Sequence, residues 1–225
     1  MELKGAVALV TGANRGLGRQ LAAQLVERGA KVYAAARRPE SVDLPGVVPL
    51  RLDVTDAESV AAAAAEAADV TLLVNNAGIS TGTPLVSGDL ATVRLELETN
   101  FFGPLAVTRA FAPVIEGNGG GTVVNVLSVL SWWHPAGFGA YAAAKAAAWA
   151  QTNAVREELA PRGIGVTALH VGLMDTDMAA GIPMDKADPV DVAAQILRGI
   201  ESGQPEILAD DTTRAVKRDL SAASA

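Results

Sequence analysis

Short apolar runs alternate along the chain with longer stretches whose apolar positions recur at helical spacing. The runs 6–11, 31–36, 47–53, 70–75, 122–128 and 165–170, with a weaker one at 206–209, read as strands. Stretches near 16–28, 56–68, 89–115, 138–160, 188–202 and 211–222 read as helices. Buried strands alternating with crossover helices predict an α/β protein: a doubly wound parallel sheet of about seven strands with helices on both faces. No linker or repeat of 20–50 residues interrupts the alternation, so residues 1–225 are expected to form a single domain. The alanine-rich stretches 61–65 and 142–148 read as helix interiors, since alanine is the best helix former. The glycines of 117–121 mark a loop before the fifth strand.

Composition narrows the classes of function. Half the residues are hydrophobic and 19% are charged, yet no run approaches the roughly 18 apolar residues of a membrane span. Residues 1–6 lead into the first strand without the pattern of a secretory signal, so a cytoplasmic location is expected. The absence of cysteine removes disulfides, thiolate nucleophiles and cysteine-ligated zinc. The two histidines, His134 and His170, lack metal-site spacing, and no metal is expected. A formal charge of −7 argues against a nucleic-acid partner and reads as solubility.

The glycine turn Thr11-Gly12-Ala13-Asn14-Arg15-Gly16-Leu17-Gly18 follows the first strand directly and opens a helix. In that position Gly12 takes the tight turn, Gly16 admits a pyrophosphate and Gly18 lets helix and strand pack closely, while free amides at the helix start attract the anion. With its G-x-x-x-G-x-G spacing, the turn resembles that of the short-chain dehydrogenase/reductase family, compact single-domain branch, which implies a Rossmann-type NAD(P)-binding domain. The match runs from about residue 5 to 200. By the same resemblance Asp53 and Val54 flank the adenine, and Asn75-Asn76-Ala77-Gly78 shapes the wall beside the cofactor ribose. For Asp53, capping of the next helix is an alternative, with Thr55 also available.

Tyr141 and Lys145 lie four apart in a helical stretch and so share one face. Ser128 stands thirteen residues upstream, at the end of the fifth strand. Together with Asn100 they match the family's Asn-Ser-Tyr-Lys set. The implied chemistry is hydride transfer between nicotinamide and a carbonyl or alcohol. Tyr141 is the general acid or base, and Lys145 lowers the phenol's pKa while bonding the nicotinamide ribose. Ser128 holds the carbonyl oxygen where charge develops. Asn100 distorts its helix and holds a water on a proton path from Lys145.

Several positions depart from the family pattern or lie outside it. Where the family places Pro-Gly after the sixth strand, this chain has Val171-Gly172, followed by Thr176 at a cofactor-contacting position. Residues 177–188 would form a short, mobile substrate lid over an open site. Trp132, Trp133, His134 and Phe138 either wall the substrate or cover the sheet, and Ser131 belongs to the substrate loop or a turn. His170 reads as a satisfied core residue. The helix at 211–222 extends beyond many relatives. The helices at 89–115 and 138–160, with Ala146, Ala147 and Ala150, offer faces for a homodimer or homotetramer. A non-enzymatic dinucleotide-binding redox sensor is one alternative. A nucleotide-sugar epimerase or dehydratase is another, which would need a larger C-terminal substrate domain.

The second strand ends in Ala36, where an NAD-preferring protein carries an acid, and is followed by Arg37. Arg37 and Arg15 are expected to converge on a 2′-phosphate, giving a preference for NADP(H), with NAD(H) as the lesser cofactor.

Overall fold

The computed structural model describes residues 1–222; the last three residues of the expected domain lie outside the described residues. Seven parallel strands form one sheet: β1 (Val7–Thr11), β2 (Lys31–Ala36), β3 (Val48–Arg51), β4 (Leu72–Asn75), β5 (Gly121–Val126), β6 (Ile164–His170) and β7 (Glu206–Leu208), in the order β3-β2-β1-β4-β5-β6-β7. The doubly wound Rossmann-type sheet read from the sequence is the observed one. The order reverses between β1 and β4, and the crevice at the carboxyl ends of those two strands is where ligands of open α/β sheets bind.

The strands carry apolar residues at successive positions because both faces are covered. In β1, Ala8 and Val10 face α1 (Gly16–Glu27) and α6 (Pro189–Glu201), whereas Leu9 faces the opposite layer. That layer holds α2 (Ala57–Glu66), α4 (Gly103–Gly117) and α5 (Gly139–Leu159), with fully buried Phe111 and Ile115 at its centre. Truncating Phe111 to alanine would cost about 3–5 kcal/mol, the range for deleting a buried aromatic. The last helix, α7 (Asp211–Ala222), packs near β7 and the turn after β5.

The stretch expected as one helix over 89–115 is broken in two. α3 (Leu90–Leu97) leads into a π turn at Glu98–Phe102, where the Gly103 N–H bonds the Glu98 carbonyl five residues back, and α4 then begins. The cause is readable in retrospect: Pro104 has no N–H to give the Asn100 carbonyl, so the regular i→i−4 ladder cannot continue there. β5 also stops at Val126, two residues short of Ser128. Ser128 instead starts a 3₁₀ turn, its hydroxyl accepting the Leu130 N–H.

Candidate active site

The glycine turn sits at the carboxyl end of β1, against the end of β4. The Asn76 amide donates to the Thr11 carbonyl at 2.8 Å, and the Thr11 hydroxyl accepts the Asn76 and Ala77 backbone N–H groups, both at 2.9 Å. These bonds fix Asn76, Ala77 and Gly78 beside Gly12. A Cβ on Gly18 would collide with the Gly12 carbonyl and the Asn76 amide, so close packing here demands glycine. Gly16 has φ +53 and faces the Thr176 methyl. The start of α1, from Gly16 and Leu17 onward, has no side-chain cap and no acidic residue in its first turn, leaving amides free for an anion. A dinucleotide's pyrophosphate fits this cradle on those grounds.

Other positions around the cradle are arranged less simply. Asn14 donates to the Ser41 hydroxyl at 3.2 Å, tying the turn to the loop that follows Arg37. The Arg15 guanidinium pairs with Asp177 at 3.0 Å, with both side chains largely exposed. Asp53 accepts the Thr55 N–H and hydroxyl, and the cap of α2 is Asp56, so neither alternative cap read from the sequence is used. Burial pushes the Asp53 carboxyl up, but the two Thr55 bonds and the charges of Arg37 and Arg51 outweigh it and leave the carboxyl below its ordinary value. Val54 is buried, against Gly103 at the start of α4.

Across the crevice, Tyr141 and Lys145 stand one turn apart on α5, with the Lys145 ammonium 5.6 Å from the centre of the Tyr141 ring. Lys145 is buried and donates to the Val126 carbonyl at 2.8 Å. The Ser128 hydroxyl lies near enough to the Tyr141 phenol to pull its pKa down. Asn100, in the π turn, donates through Nδ2 to the Ile79 carbonyl and to Glu96, and accepts the Ile79 N–H at Oδ1. A Cβ on Gly78 would fall 2.7 Å from that Oδ1, so glycine is required where the β4 loop passes Asn100. The four side chains expected from the sequence are therefore brought to one place. A cavity of about 10 Å³ lies among Asn75, Asn100, Lys145 and Gln151, at the lower limit for a single water.

The electrostatics differ from the sequence expectation in one respect. Lys145 was expected to lower the phenol. Burial instead pushes Tyr141 well above its ordinary value, with Glu96 adding to the rise and the Ser128 bond opposing it. Burial also brings Lys145 down to about 8, against the pull of Glu96. Glu96 was not singled out from the sequence, because an acid in a helix ordinarily faces water. Its position four residues before Asn100, on the same helix face, was the available signal.

The family model described as short chain dehydrogenase matches residues 6–187. The chain belongs to the short-chain dehydrogenase/reductase family. It is 33% identical over 217 residues to the 3-oxoacyl-(acyl-carrier-protein) reductase of Salmonella typhimurium, covering 92% of this chain and 88% of that protein. It is 36% identical over 177 residues to the NADPH-dependent 1-acyldihydroxyacetone phosphate reductase of Schizosaccharomyces pombe; that match covers 75% of this chain and 60% of the yeast protein's length. A crystal structure of a short chain dehydrogenase from Burkholderia cenocepacia in complex with NADP superposes with a TM-score of 0.95 at 39% identity, covering 99% of this chain and 95% of that one. As a member of this family the chain is an oxidoreductase acting on alcohol or carbonyl groups.

The family's site is closed here by less usual parts. Gly172, in the loop that lacks proline, donates its N–H to Asp210 Oδ2 at 2.6 Å, and Asp210 Oδ1 takes the N–H and hydroxyl of Thr213 at the start of α7. The two ends of the segment that follows are joined by backbone bonds: the Ala187 N–H bonds the Leu173 carbonyl at 2.8 Å and the Asp175 N–H bonds the Ala187 carbonyl at 3.0 Å. Trp132 covers the sheet end, stacked on His170 at 3.8 Å, while Trp133 and His134 are exposed. His170 is only half satisfied, since Nδ1 meets the Ser128 carbonyl and Nε2 has no hydrogen-bond partner. Ser131 is buried in the 3₁₀ turn with its hydroxyl unpartnered. Among the described residues no helix is long and apolar enough to cross a membrane.

Proposed function

We propose that the chain is an NADP(H)-dependent carbonyl reductase, running in reverse as an alcohol dehydrogenase, with Tyr141 as the proton donor. The observation that carries the reading is the Ser128–Tyr141–Lys145 cluster at the open end of β5, across the crevice from an uncapped glycine-turn helix. The bound dinucleotide supplies hydride. The cradle formed by Gly12, Asn14, Arg15, Gly16, Leu17 and Gly18 holds its pyrophosphate, Asp53 and Val54 bound the adenine, and Asn76, Ala77 and Gly78 bound the ribose side. Gly172 and Thr176 close over the nicotinamide end.

Ser128 positions the substrate oxygen, and Tyr141 gives it a proton as charge develops there. Burial keeps the proton on the phenol until charge develops on the substrate oxygen, and a charged lysine beside it eases the proton's departure. Lys145, freed from the Val126 carbonyl, bonds the ribose and steadies the phenolate left behind. Asn100 holds the small cavity beside Lys145 open, from which the proton is replaced.

Arg37 gives the reading its cofactor preference, since Ala36 offers nothing to repel a 2′-phosphate. A second copy of the chain docks through α3, α4 and α5 in the proposed homodimer or homotetramer; Leu95 on α3 and Phe102 in the π turn, each about half exposed, favour such cover. Loss of NADPH absorbance with a panel of aldehydes, ketones and 3-oxoacyl thioesters tests the activity. Turnover of at least one class is expected, and no turnover across the panel would refute it.

A further inference from the structure

Glu96 lies in α3, one turn before Asn100, and is completely buried. Its oxygens face three donors. Oε1 accepts the Thr81 N–H at 2.6 Å and the Thr81 hydroxyl at 2.8 Å, and Oε2 accepts Asn100 Nδ2 at 2.8 Å. The Thr81 hydroxyl in turn lies 2.7 Å from that of Thr83, which can supply the next proton in the chain. Two of these three, the Thr81 N–H and Asn100 Nδ2, can only donate, and the Thr81 hydroxyl completes a set of donors that a carboxylate accepts.

This arrangement has two effects on the reaction site. Asn100 can sit only one way round, because turning its amide over would set Oδ1 against the Ile79 carbonyl and the Glu96 carboxylate. The buried negative charge also acts on both groups that carry the proton. It favours the ammonium of Lys145 and disfavours the phenolate of Tyr141.

We propose that Glu96 is a positioning residue of this site, whose buried carboxylate orients Asn100 and keeps the proton on the Tyr141–Lys145 pair. Its consequence for turnover rests on the reductase reading above. The titratable groups around the pair are Tyr141 and Lys145 on α5, Glu96 on α3 and His170 on β6. His170, with Glu206 and Lys217 beyond it, is held by burial at about 4 and stays neutral over the working range. Glu96 is thus the carboxylate that opposes the desolvation of Lys145. Removing its charge lowers the pKa of the ammonium and of the phenol alike, so both protons leave at lower pH.

The test compares the parent with Glu96→Gln, which keeps the size and removes the charge, and Glu96→Asp, which keeps the charge and shortens the reach. Lysine 13Cε NMR of the full chain, with the Lys145 signal assigned by its loss in Lys145→Arg, follows Lys145 without any turnover. In Glu96→Gln the Lys145 midpoint is expected about half a pH unit or more below the parent's, and the alkaline limb of kcat/KM should move with it. Glu96→Asp should keep the parent's midpoint with a lower kcat. A Glu96→Gln that loses rate at every pH with both midpoints unmoved would overturn the proposal. If Glu96→Gln does not fold, Glu96→Ser, smaller and equally uncharged, decides by the same reading: a Lys145 midpoint unmoved from the parent's overturns the proposal. A displaced Glu96→Gln midpoint in a protein that reduces no carbonyl supports the positioning role and overturns only the reductase reading.

Discussion

Around β1, β2 and β3 the interior is almost wholly apolar: among residues 1–74 the buried polar side chains are Thr11 and Gln24. From β4 onward the interior changes character. Asn75 donates to Thr108 and Asn125, Asn125 donates to Thr152, and Glu96 gathers Thr81 and Asn100. The first half of the sheet offers a ligand its backbone, through glycines and the free amides of α1. The second half offers side chains held in place by other buried side chains. Binding a phosphate needs only donors and room, whereas moving a proton needs titratable groups fixed within hydrogen-bond reach.

Substitutions in the two halves should therefore fail differently. The largest effect is expected from Lys145→Ala, which should lower turnover by about a thousandfold, within the 10²–10⁴ of acid–base catalysis, and weaken cofactor binding as well. Stopped-flow turnover and fluorescence titration with NADPH measure both. Unchanged affinity would remove the ribose role.

Gly18→Ala comes next, and it should damage binding and stability rather than the chemical step. The new methyl meets the Gly12 carbonyl, and overpacking of this kind costs about 1–3 kcal/mol. At about 2–4 °C per kcal/mol, a thermal melt should fall by several degrees. A parent-like Tm with parent-like NADPH affinity would show that the close approach is not required.

Smaller still is the cofactor switch. Charge-assisted bonds of roughly 1.5–3 kcal/mol make each arginine–phosphate contact worth at least about tenfold in kcat/KM. Because Arg15 is paired with Asp177, Arg37 carries the proposed preference, and Ala36→Asp with Arg37→Ala should reverse it toward NADH. Equal kcat/KM for the two cofactors in the parent would contradict the assignment. The mildest change expected is Asp210→Ala, which leaves the Gly172 and Thr213 amides without their acceptor and should cost about 1–3 kcal/mol of stability. It should raise KM for cofactor more than it lowers kcat, and the reverse split would place Asp210 nearer the chemistry.

The same contrast governs what could be read from the sequence. The glycine turn was legible because its signal is local: three glycines between a strand and a helix specify their own backbone. The central strands were legible because both faces of the sheet are covered there, which makes them mostly apolar runs, whereas the edge strands β3 and β7 are short and partly exposed, and β7 gave the weaker signal. The contents of the second half were less so. A distortion of the helix at Asn100 was expected from the resemblance, but that it takes the form of a π turn ending one helix and starting another, with Pro104 removing the partner of the Asn100 carbonyl, became visible only in three dimensions. Asp210 follows the last strand and looks like a helix cap, which it is, yet its other oxygen pins a loop 38 residues earlier in the chain. The pairing of Arg15 with Asp177 spans 162 residues and no local pattern announces it.

The central claim is that the glycine cradle of the first half holds the cofactor's pyrophosphate while proton transfer rests on Tyr141 in the second. Tyr141→Phe tests it most directly, because it removes one oxygen and leaves the fold and the glycine cradle in place. NADPH affinity, measured by fluorescence titration, should stay within a few-fold of the parent while turnover on a reduced carbonyl falls by at least about a hundredfold. Turnover within a few-fold of the parent would contradict the account.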